Sequence, residues 1–262
     1  MSLLFGGIFF LLFVGIKFLP EKQRNQWFYQ DKKSVLFSVE QEILLGEKIE
    51  EIVFQNHREV KINIIDSALW VILTRLENKI EQSEYDYIIK VIDNPEINAF
   101  TIPGGRIYIN IGLISFCDSS EQLAAVLAHE IGHVEKRHSV SKLIKEFGIN
   151  LFFTIISGGN TVLLTGLFHA TASTAFDRSY EKEADQFALN LLEEAKISPT
   201  AMASFFRKLN RENLGYNERI EFLMTHPQNN ARIKSALNYK TRDNFESQRF
   251  ELNWEEVVIE PE

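Results

Sequence analysis

The chain has little of several features on which whole classes of protein depend. It contains one cysteine, Cys117, among 262 residues, so an intrachain disulfide is excluded and a cysteine-based metal cluster is not expected. We interpret Cys117 as a small buried thiol. The net charge is -8, from 28 basic and 36 acidic residues, and lysine and arginine form no long run. A nucleic acid is therefore not expected as a partner, because its phosphates need a basic surface.

The sequence also lacks internal repeats of roughly 20 to 50 residues, low-complexity tracts and a glycine-rich phosphate-binding loop. What it does have is a hydrophobic content of 45%, which in 262 residues is enough for one substantial core. We therefore expect one catalytic domain over residues 21–240, with an N-terminal segment over 1–20 and a C-terminal tail over 241–262.

The N-terminal segment is an apolar run from Leu3 to Leu19 that contains one charge, Lys17, and stops at Pro20. Its length lies at the low end of the roughly 20 residues that span a bilayer. A signal peptide needs positive charge before the run and small residues at the cleavage point, and both are missing. We expect a retained membrane anchor, with a cleaved signal peptide and a buried core helix as the alternatives. Basic residues follow the run, which favours a cytoplasmic domain on the cell membrane, but a single flank leaves the side of the membrane open.

Hydrophobic periodicity after this segment predicts an α+β fold that is mainly helical. Alternating apolar residues predict strands over residues 58–66, 85–93 and 106–114. Helical spacing predicts helices over residues 38–56 and 67–82 and a helix that begins near Ser119. Residues 94–105 contain proline and glycine and are expected to form turns. The strands are expected to form a small antiparallel sheet that packs on the helix after Ser119.

The sequence HEIGH, residues 129–133, places two histidines and a glutamate within about one turn of that helix. His129 and His133 are four residues apart, so their imidazoles project from the same face and can converge on one ion. Zinc binds such nitrogens at roughly 2.0–2.1 Å. Glu130 is rotated away from direct ligation but can reach a water, as the general base of a zinc hydrolase does. Because this short pattern also arises by chance, a third ligand is required.

The third ligand is predicted from residues 178–194, RSYEKEADQFALNLLEE. On a helical wheel, Glu181 and Asp185 share a face with the apolar residues of this helix. Buried carboxylates need a cation or a full set of hydrogen bonds. We predict that Glu181 is the third zinc ligand and that Asp185 holds the second nitrogen of a ligand imidazole. The alternative is that both carboxylates bond only Arg178 and backbone groups.

Two nearby residues are not expected to bind the metal. Glu183 lies on the opposite face of its helix from Glu181. His138 is five residues past His133, which on a continuous helix turns it about 140° away, so we expect it to face solvent or end the helix.

The combination of HEIGH with EKEAD resembles the zinc endopeptidase family of the CAAX prenyl proteases and HtpX-type membrane proteases. The stretches NAFTIPGGRIYINIGLI and THPQNNARI agree with this likeness, which extends over about residues 38–238. The resemblance implies a zincin-like, gluzincin-type domain with one zinc ion per chain. It also implies that His129, His133 and Glu181 bind this zinc and that Glu130 is the catalytic glutamate.

His226 of THPQNNARI precedes a proline, at a position where this family also has a histidine. We expect it to donate to the oxyanion or to occupy the fourth zinc position transiently, with a helix cap as the alternative. Arg232 is interpreted as structural. The strand that begins at Arg106 is expected at the sheet edge beside the zinc, where an extended substrate could add as a further strand, with simple core packing as the alternative.

The stretch 147–176 contains no acidic residue, lysine or arginine. It cannot cross a membrane once, because the two histidines precede it, Glu181 follows it, and all three contact one ion. We expect an apolar hairpin that turns at SGGN, residues 157–160, and packs over the site or dips into the membrane. A hairpin of two full spans is the alternative.

These observations predict a membrane-associated zinc endopeptidase that hydrolyses protein or peptide substrates, with a role in the quality control of membrane or envelope proteins. The alternative is a membrane-tethered, zinc-binding, chaperone-like or adaptor protein without turnover. Glu130 favours the enzyme, because a structural zinc needs no base and prefers four closed protein ligands.

Overall fold

The computed structural model of the chain describes residues 37–148, 161–172, 174–213, 222–226 and 230–258. The chain divides into two units, Met1–Ser38 and Val39–Glu262, and the described helices and strands lie in the second. In chain order they are α1 (Val39–Asn56), β1 (Glu59–Val60), α2 (Asn63–Glu77), β2 (Ile88–Ile92), β3 (Ala99–Ile102), β4 (Arg106–Asn110), α3 (Ile111–Phe116), α4 (Ser120–Glu135), α5 (His138–Phe147), α6 (Thr161–Ala172), α7 (Arg178–Glu194), α8 (Thr200–Asn213), α9 (Phe222–Thr225), α10 (Asn230–Leu237) and α11 (Trp254–Val257). The prediction of a mainly helical α+β fold is confirmed.

The predicted membrane anchor over residues 1–20 and the predicted hairpin turn at 157–160 lie outside the described residues. In the part of the chain that is described, no helix combines the length and the apolar character that a bilayer span requires. The described arm of the hairpin is α6, which packs against α1, β3 and α5. Its Phe168 ring meets the ring of Phe100 in β3 with centroids 6.1 Å apart. This arm therefore has a protein-facing side.

The sheet is mixed, so the prediction of an antiparallel sheet is wrong. Its four strands lie in the order β1-β2-β4-β3. β1 pairs antiparallel with β2, and β3 with β4, but β2 and β4 are parallel. β3 and β4 are joined by a tight hairpin through Gly104 and Gly105, which both have φ of 80°. The parallel pair arises because of the way this hairpin meets β2. The hairpin returns its second strand, not its first, to the edge of β2, and periodicity carries no information on that choice.

Packing also shifts the ends of the predicted strands. The strand predicted over residues 58–66 is reduced to β1, because α2 begins at Asn63. The strand predicted over 106–114 ends at Asn110, where α3 begins, and β3 lies within the turns predicted over 94–105. The expected edge position of the Arg106 strand is wrong as well: β4 lies between β2 and β3, and β3 is the edge strand that contacts α4.

Both faces of the sheet are covered. On one face, Ile107 and Ile109 of β4 pack with α2 and α4 in the main apolar core. On the other face, Tyr108 stacks on Phe100 with ring centroids 5.2 Å apart, and its hydroxyl donates to Glu50 of α1 at 2.7 Å. This double cover buries β4 along its whole length, although its residues alternate between apolar and polar.

Helix α4 is the centre of the fold, since 14 of its 16 residues are buried. It begins as predicted, with Ser119 as the N-cap residue whose side chain accepts a hydrogen bond from the backbone N–H of Gln122. It contacts α2, α7, α8 and β3. Because the polar residues His129, Glu130 and His133 lie in this buried helix, they need partners inside the protein.

The described part of the predicted C-terminal tail, residues 241–258, runs back over the domain. Trp254 Nε1 donates to the carbonyl of Cys117 at 2.8 Å, and the Gln248 amide donates to the carbonyl of Lys196 at 2.7 Å. Cys117 is buried, as predicted, and burial raises the pKa of its thiol. The tail thus joins the loop before α4 to the loop after α7.

Helices α4 and α7 approach closely at Gly132. A Cβ atom at this position would lie 3.0 Å from the carbonyl oxygen of Ala184 and 3.1 Å from its Cα atom. A side chain here would push the two helices apart. Gly132 therefore allows α7 to lie close enough for its carboxylates to reach the α4 histidines.

Gly132→Ala is expected to lower the free energy of unfolding by about 1–3 kcal/mol, the usual effect of added volume in a packed interior. Gly166→Ala is the matched control, because Gly166 also lies inside a helix but no described atom lies within 4 Å of a Cβ there. That substitution is expected to raise the stability by about 0.5–1 kcal/mol. Urea unfolding followed by circular dichroism measures both. Equal effects at the two positions would contradict the role of the close approach.

Candidate metal centre

The two histidines of HEIGH lie side by side on α4. Both side chains are buried, and the Nε2 atoms of His129 and His133 are 3.1 Å apart. One helical turn separates the residues, so their rings point to the same side. Phe176 stacks on the His133 ring with centroids 4.1 Å apart and contributes to its complete burial.

Helix α7 brings Glu181 and Asp185 to the same place. Glu181 Oε1 lies 3.3 Å from His133 Nε2, and Glu181 Oε2 lies 3.5 Å from His129 Nε2. One turn further along, Asp185 Oδ1 lies 3.1 Å from His129 Nδ1. Because Nε2 of this ring lies in the cluster, Nδ1 is the nitrogen that a supporting carboxylate can hold. The fold thus buries the face of α7 that the helical wheel predicts to point inward.

His226, which follows α9, brings a fourth donor to the cluster. Its Nδ1 atom lies 3.3 Å from His129 Nε2 and 3.1 Å from Glu181 Oε1. Donor atoms of His129, His133, Glu181 and His226 all lie within 4.8 Å of one another. Four ligands placed tetrahedrally at about 2.0–2.1 Å from zinc are about 3.3 Å from each other. The separations and the nitrogen and oxygen donors therefore fit a zinc ion.

Glu130 lies next to this cluster with its side chain fully buried. The Thr101 hydroxyl of β3 donates to Glu130 Oε2 at 2.6 Å. The other oxygen, Oε1, lies 3.4 Å from His226 Nε2 and forms no hydrogen bond with the described residues. The sheet therefore holds one oxygen of Glu130 and leaves the second for a reacting group, as a general base requires.

Arg232 of α10 connects the two carboxylates of α7. Its Nε and Nη2 atoms donate to Asp185 Oδ2 and Oδ1 at 2.7 and 2.6 Å, and its Nη1 atom lies 2.6 Å from Glu181 Oε2. Nη1 also donates to the carbonyl of His226 at 3.5 Å. These contacts compensate a buried guanidinium and orient both carboxylates. The interpretation of Arg232 as structural is incomplete, because it contacts a candidate metal ligand directly.

The surroundings give the members of the cluster different protonation states. Burial by itself raises the pKa of Glu181, but His226 and the hydrogen bonds from the three histidines outweigh burial and hold this pKa well below its ordinary value. Burial lowers the pKa of His133 to about 4. For His129 the effect of burial is outweighed by Asp185 and Glu181, which raise its pKa to about 9. A metal that binds both rings therefore displaces a proton from His129.

From the sequence, His138 is expected to face solvent, but its side chain is completely buried. The expectation assumed a helix that continues past His133, whereas α4 ends at Glu135 and Arg137 has a left-handed φ of 55°. This turn folds the chain back, so that His138 begins α5 with its Nδ1 atom 3.0 Å from His133 Nδ1. The expectation that His138 faces solvent is therefore wrong, whereas His138 does lie at a helix end and outside the group of candidate metal ligands.

Comparison with known proteins agrees with this geometry. The family model described as peptidase family M48 matches residues 66–240, which is more than half of the chain. The beta-barrel assembly-enhancing protease of Escherichia coli O157:H7 is 32% identical over 56% of the chain and 33% of its own length. The mitochondrial metalloendopeptidase OMA1 of Saccharomyces cerevisiae is 27% identical over 93% of the chain and 74% of its own length. The mitochondrial metalloendopeptidase OMA1 of Bos taurus is 32% identical over 58% of the chain and 32% of its own length.

The chain thus spans about a third of the length of the Escherichia coli and bovine relatives that it matches. The matched residues include both motifs, HEIGH and EKEAD, and the histidine of THPQNNARI. The resemblance to zinc metalloendopeptidases that these motifs indicate is confirmed: the chain belongs to peptidase family M48.

Proposed function

We propose that the chain is a zinc-dependent endopeptidase that hydrolyses peptide bonds in protein substrates. The observation that carries this proposal is the convergence of His129, His133 and Glu181 from two helices, beside the buried carboxylate of Glu130. A structural zinc site has no use for such a base, whereas hydrolysis requires one.

The proposed zinc ligands are His129 Nε2, His133 Nε2 and Glu181. A zinc ion held by them supplies Lewis-acid chemistry, because it polarises a peptide carbonyl and acidifies water. Glu181 is suited to this role, since its pKa lies well below the ordinary value and its carboxylate is anionic at neutral pH. Asp185 and Arg232 hold His129 and Glu181 in place.

Glu130 is the proposed general base. Its Oε1 atom takes a proton from the attacking water and then delivers this proton to the leaving amine. The hydrogen bond from Thr101 to Oε2 fixes the plane of the carboxylate, so that Oε1 keeps its direction through both transfers. Because Glu130 is fully buried, the proton moves in a site that excludes bulk water.

His226 has two proposed roles, and its two ring nitrogens correspond to them. Nδ1 lies within the ligand cluster, which supports occupation of the fourth metal position. Nε2 lies beside Glu130 Oε1, where a donor can stabilise the oxyanion that forms when the carbonyl is attacked. With Nδ1 at that place, His226 would compete with a substrate for a bound metal.

We also propose that the chain acts on membrane or envelope proteins while it is tethered by its N-terminal segment. The apolar run from Leu3 to Leu19 supports the tether. One relative is named for the assembly of β-barrels and others are named as mitochondrial endopeptidases, which supports a role in protein quality control. Release of the intact chain from membranes by alkaline carbonate would contradict the tether.

The full chain, purified in a mild detergent, is expected to cleave casein, an unfolded protein substrate. Treatment with 1,10-phenanthroline is expected to reduce cleavage to background, and one equivalent of zinc should restore it, because the metal supplies the Lewis acid. Gel electrophoresis and metal analysis follow cleavage and zinc content. Cleavage that persists in zinc-free protein would overturn the proposal, and stoichiometric zinc without cleavage would support the alternative of a zinc-binding protein without turnover.

A further inference from the structure

The two proposed ligand imidazoles need support at their second nitrogens, and the sequence patterns indicate a partner for only one of them. An imidazole that binds metal through Nε2 carries its proton on Nδ1, and this N–H needs an acceptor that fixes the ring. For His129 the acceptor placed there is the Asp185 carboxylate, whose Oδ1 atom lies 3.1 Å from Nδ1. For His133 the atom in that place is Nδ1 of His138, at 3.0 Å.

The chemistry of two imidazoles in contact defines their tautomers. Since His133 Nδ1 is the donor, His138 Nδ1 has to be the acceptor and carries no proton. The proton of a neutral His138 ring then lies on Nε2, which is 3.4 Å from Glu183 Oε2. The three side chains form a relay in which His133 donates to His138 and His138 donates to Glu183.

His138 is held rigidly from several sides. Its ring is completely buried and stacks on Tyr180 with centroids 4.4 Å apart and 12° between the planes. Its backbone follows Arg137, whose left-handed conformation directs the chain back toward His133. The Arg137 guanidinium is itself fixed, since Nε donates to Glu42 of α1 at 2.6 Å. A ring with this support can orient its neighbour.

The geometry points to His138 as a positioning residue for the metal centre. It accepts the hydrogen bond of His133 Nδ1–H. Because Tyr180 and α5 hold the His138 ring in place, this hydrogen bond fixes the orientation of the His133 ring, and Glu183 fixes the tautomer of His138. His138 does not bind the metal itself, because its Nδ1 atom faces the side of His133 opposite Nε2. This inference deepens the proposed function and rests on it.

The first test compares two substitutions, one that keeps the ring without an acceptor and one that keeps an acceptor without the ring. His138→Phe keeps an aromatic ring against Tyr180 but removes the acceptor, so zinc affinity is expected to fall about 10–100-fold. His138→Asn places its side-chain oxygen near the position of Nδ1 and is expected to keep most of the affinity. His57→Phe is the matched control, since His57 also lies against an aromatic ring, that of Phe168, and should leave affinity unchanged. Competition with a chromophoric chelator measures all four proteins.

Circular dichroism of the metal-free proteins checks that each variant folds. Wild-type affinity in a folded His138→Phe variant would overturn the inference, and so would a loss in the Asn variant as large as or larger than the loss in the Phe variant, because a role in packing alone depends on the ring that only Phe retains. If the parent chain itself binds no zinc, the proposed function fails and takes this inference with it. A parent that binds zinc separates the two failures.

The second test needs no substitution and therefore does not depend on how a variant folds. Nitrogen-15 correlation spectra of the imidazoles in the zinc-loaded chain report which ring nitrogen carries the proton. We expect His138 with its proton on Nε2 and His133 with its proton on Nδ1. A proton on His138 Nδ1 would overturn the relay, because that atom could not then accept from His133.

Discussion

Glu130→Gln is expected to bind zinc as tightly as the parent chain while its cleavage of casein falls by about 10²–10⁴-fold, the usual contribution of a general acid–base group. The carboxamide has the shape of the carboxylate, and its oxygen can still accept the hydrogen bond from Thr101. It cannot take a proton from water at neutral pH. The substitution therefore separates proton transfer from metal binding.

The measurement is the initial rate of cleavage of fluorescent casein, together with zinc affinity from chelator competition. Glu121→Gln is the control, because Glu121 lies in the first turn of the same helix, about two turns before HEIGH. Its carboxylate accepts a hydrogen bond from the Phe250 amide at 3.3 Å, away from the candidate metal ligands. It is expected to leave turnover unchanged. Undiminished turnover in a clean preparation of Glu130→Gln would remove Glu130 from the mechanism.

This result also decides between the enzyme and the zinc-binding protein without turnover. Both classes predict a zinc-loaded parent chain. Only an enzyme is expected to show a rate of casein cleavage that depends on Glu130, a carboxylate that is not a proposed metal ligand. Burial of that carboxylate is costly in a protein that makes no use of it, since an ionised side chain in an apolar interior needs compensation.

The residues of the site that could be predicted from sequence are those whose geometry is local. His129 and His133 are neighbours because four residues make about one helical turn, and this holds in any helix. Glu181 and Asp185 share the inward face of their own helix for the same reason. Periodicity alone therefore indicates which side chains point into the protein.

The residues that could not be predicted depend on how distant segments pack. Thr101 meets Glu130 because the edge strand β3 lies beside α4, and periodicity assigns that strand to a turn. Arg232 meets Asp185 across 47 positions of sequence. His138 lies behind His133 because of one left-handed residue, Arg137, which a helical wheel cannot represent. A pattern read along one element does not contain these contacts.

The sheet shows the same limit. The strands around Ile88 and Ile107 are evident from their alternation, but their parallel pairing follows from where the hairpin docks. The consequence for the site is direct, since the docking makes β3 the edge strand and thereby brings Thr101 to Glu130.

Glu181→Ala is expected to lower zinc affinity by more than about 100-fold, beyond the loss that follows from removal of a supporting residue. The substitution removes the anionic donor that lies 3.3 Å from His133 Nε2 and 3.5 Å from His129 Nε2. Arg232 keeps its paired contact with Asp185, so the guanidinium is not left without compensation and the fold should persist. Metal analysis and chelator competition on the purified variant measure the change.

Asp185→Asn is the control that distinguishes a ligand from a supporting residue. It leaves the three proposed donors in place and weakens the hold on His129 Nδ1 together with the paired contact of Arg232, so a loss of about 10–100-fold is expected. The order of the two losses follows from distance to the ion: a removed donor affects the metal directly, whereas a removed support affects it through the residues that it holds. Zinc retained by Glu181→Ala at the parent affinity would refute the assignment of Glu181, and with it the idea that two helices joined at Gly132 build one metal centre.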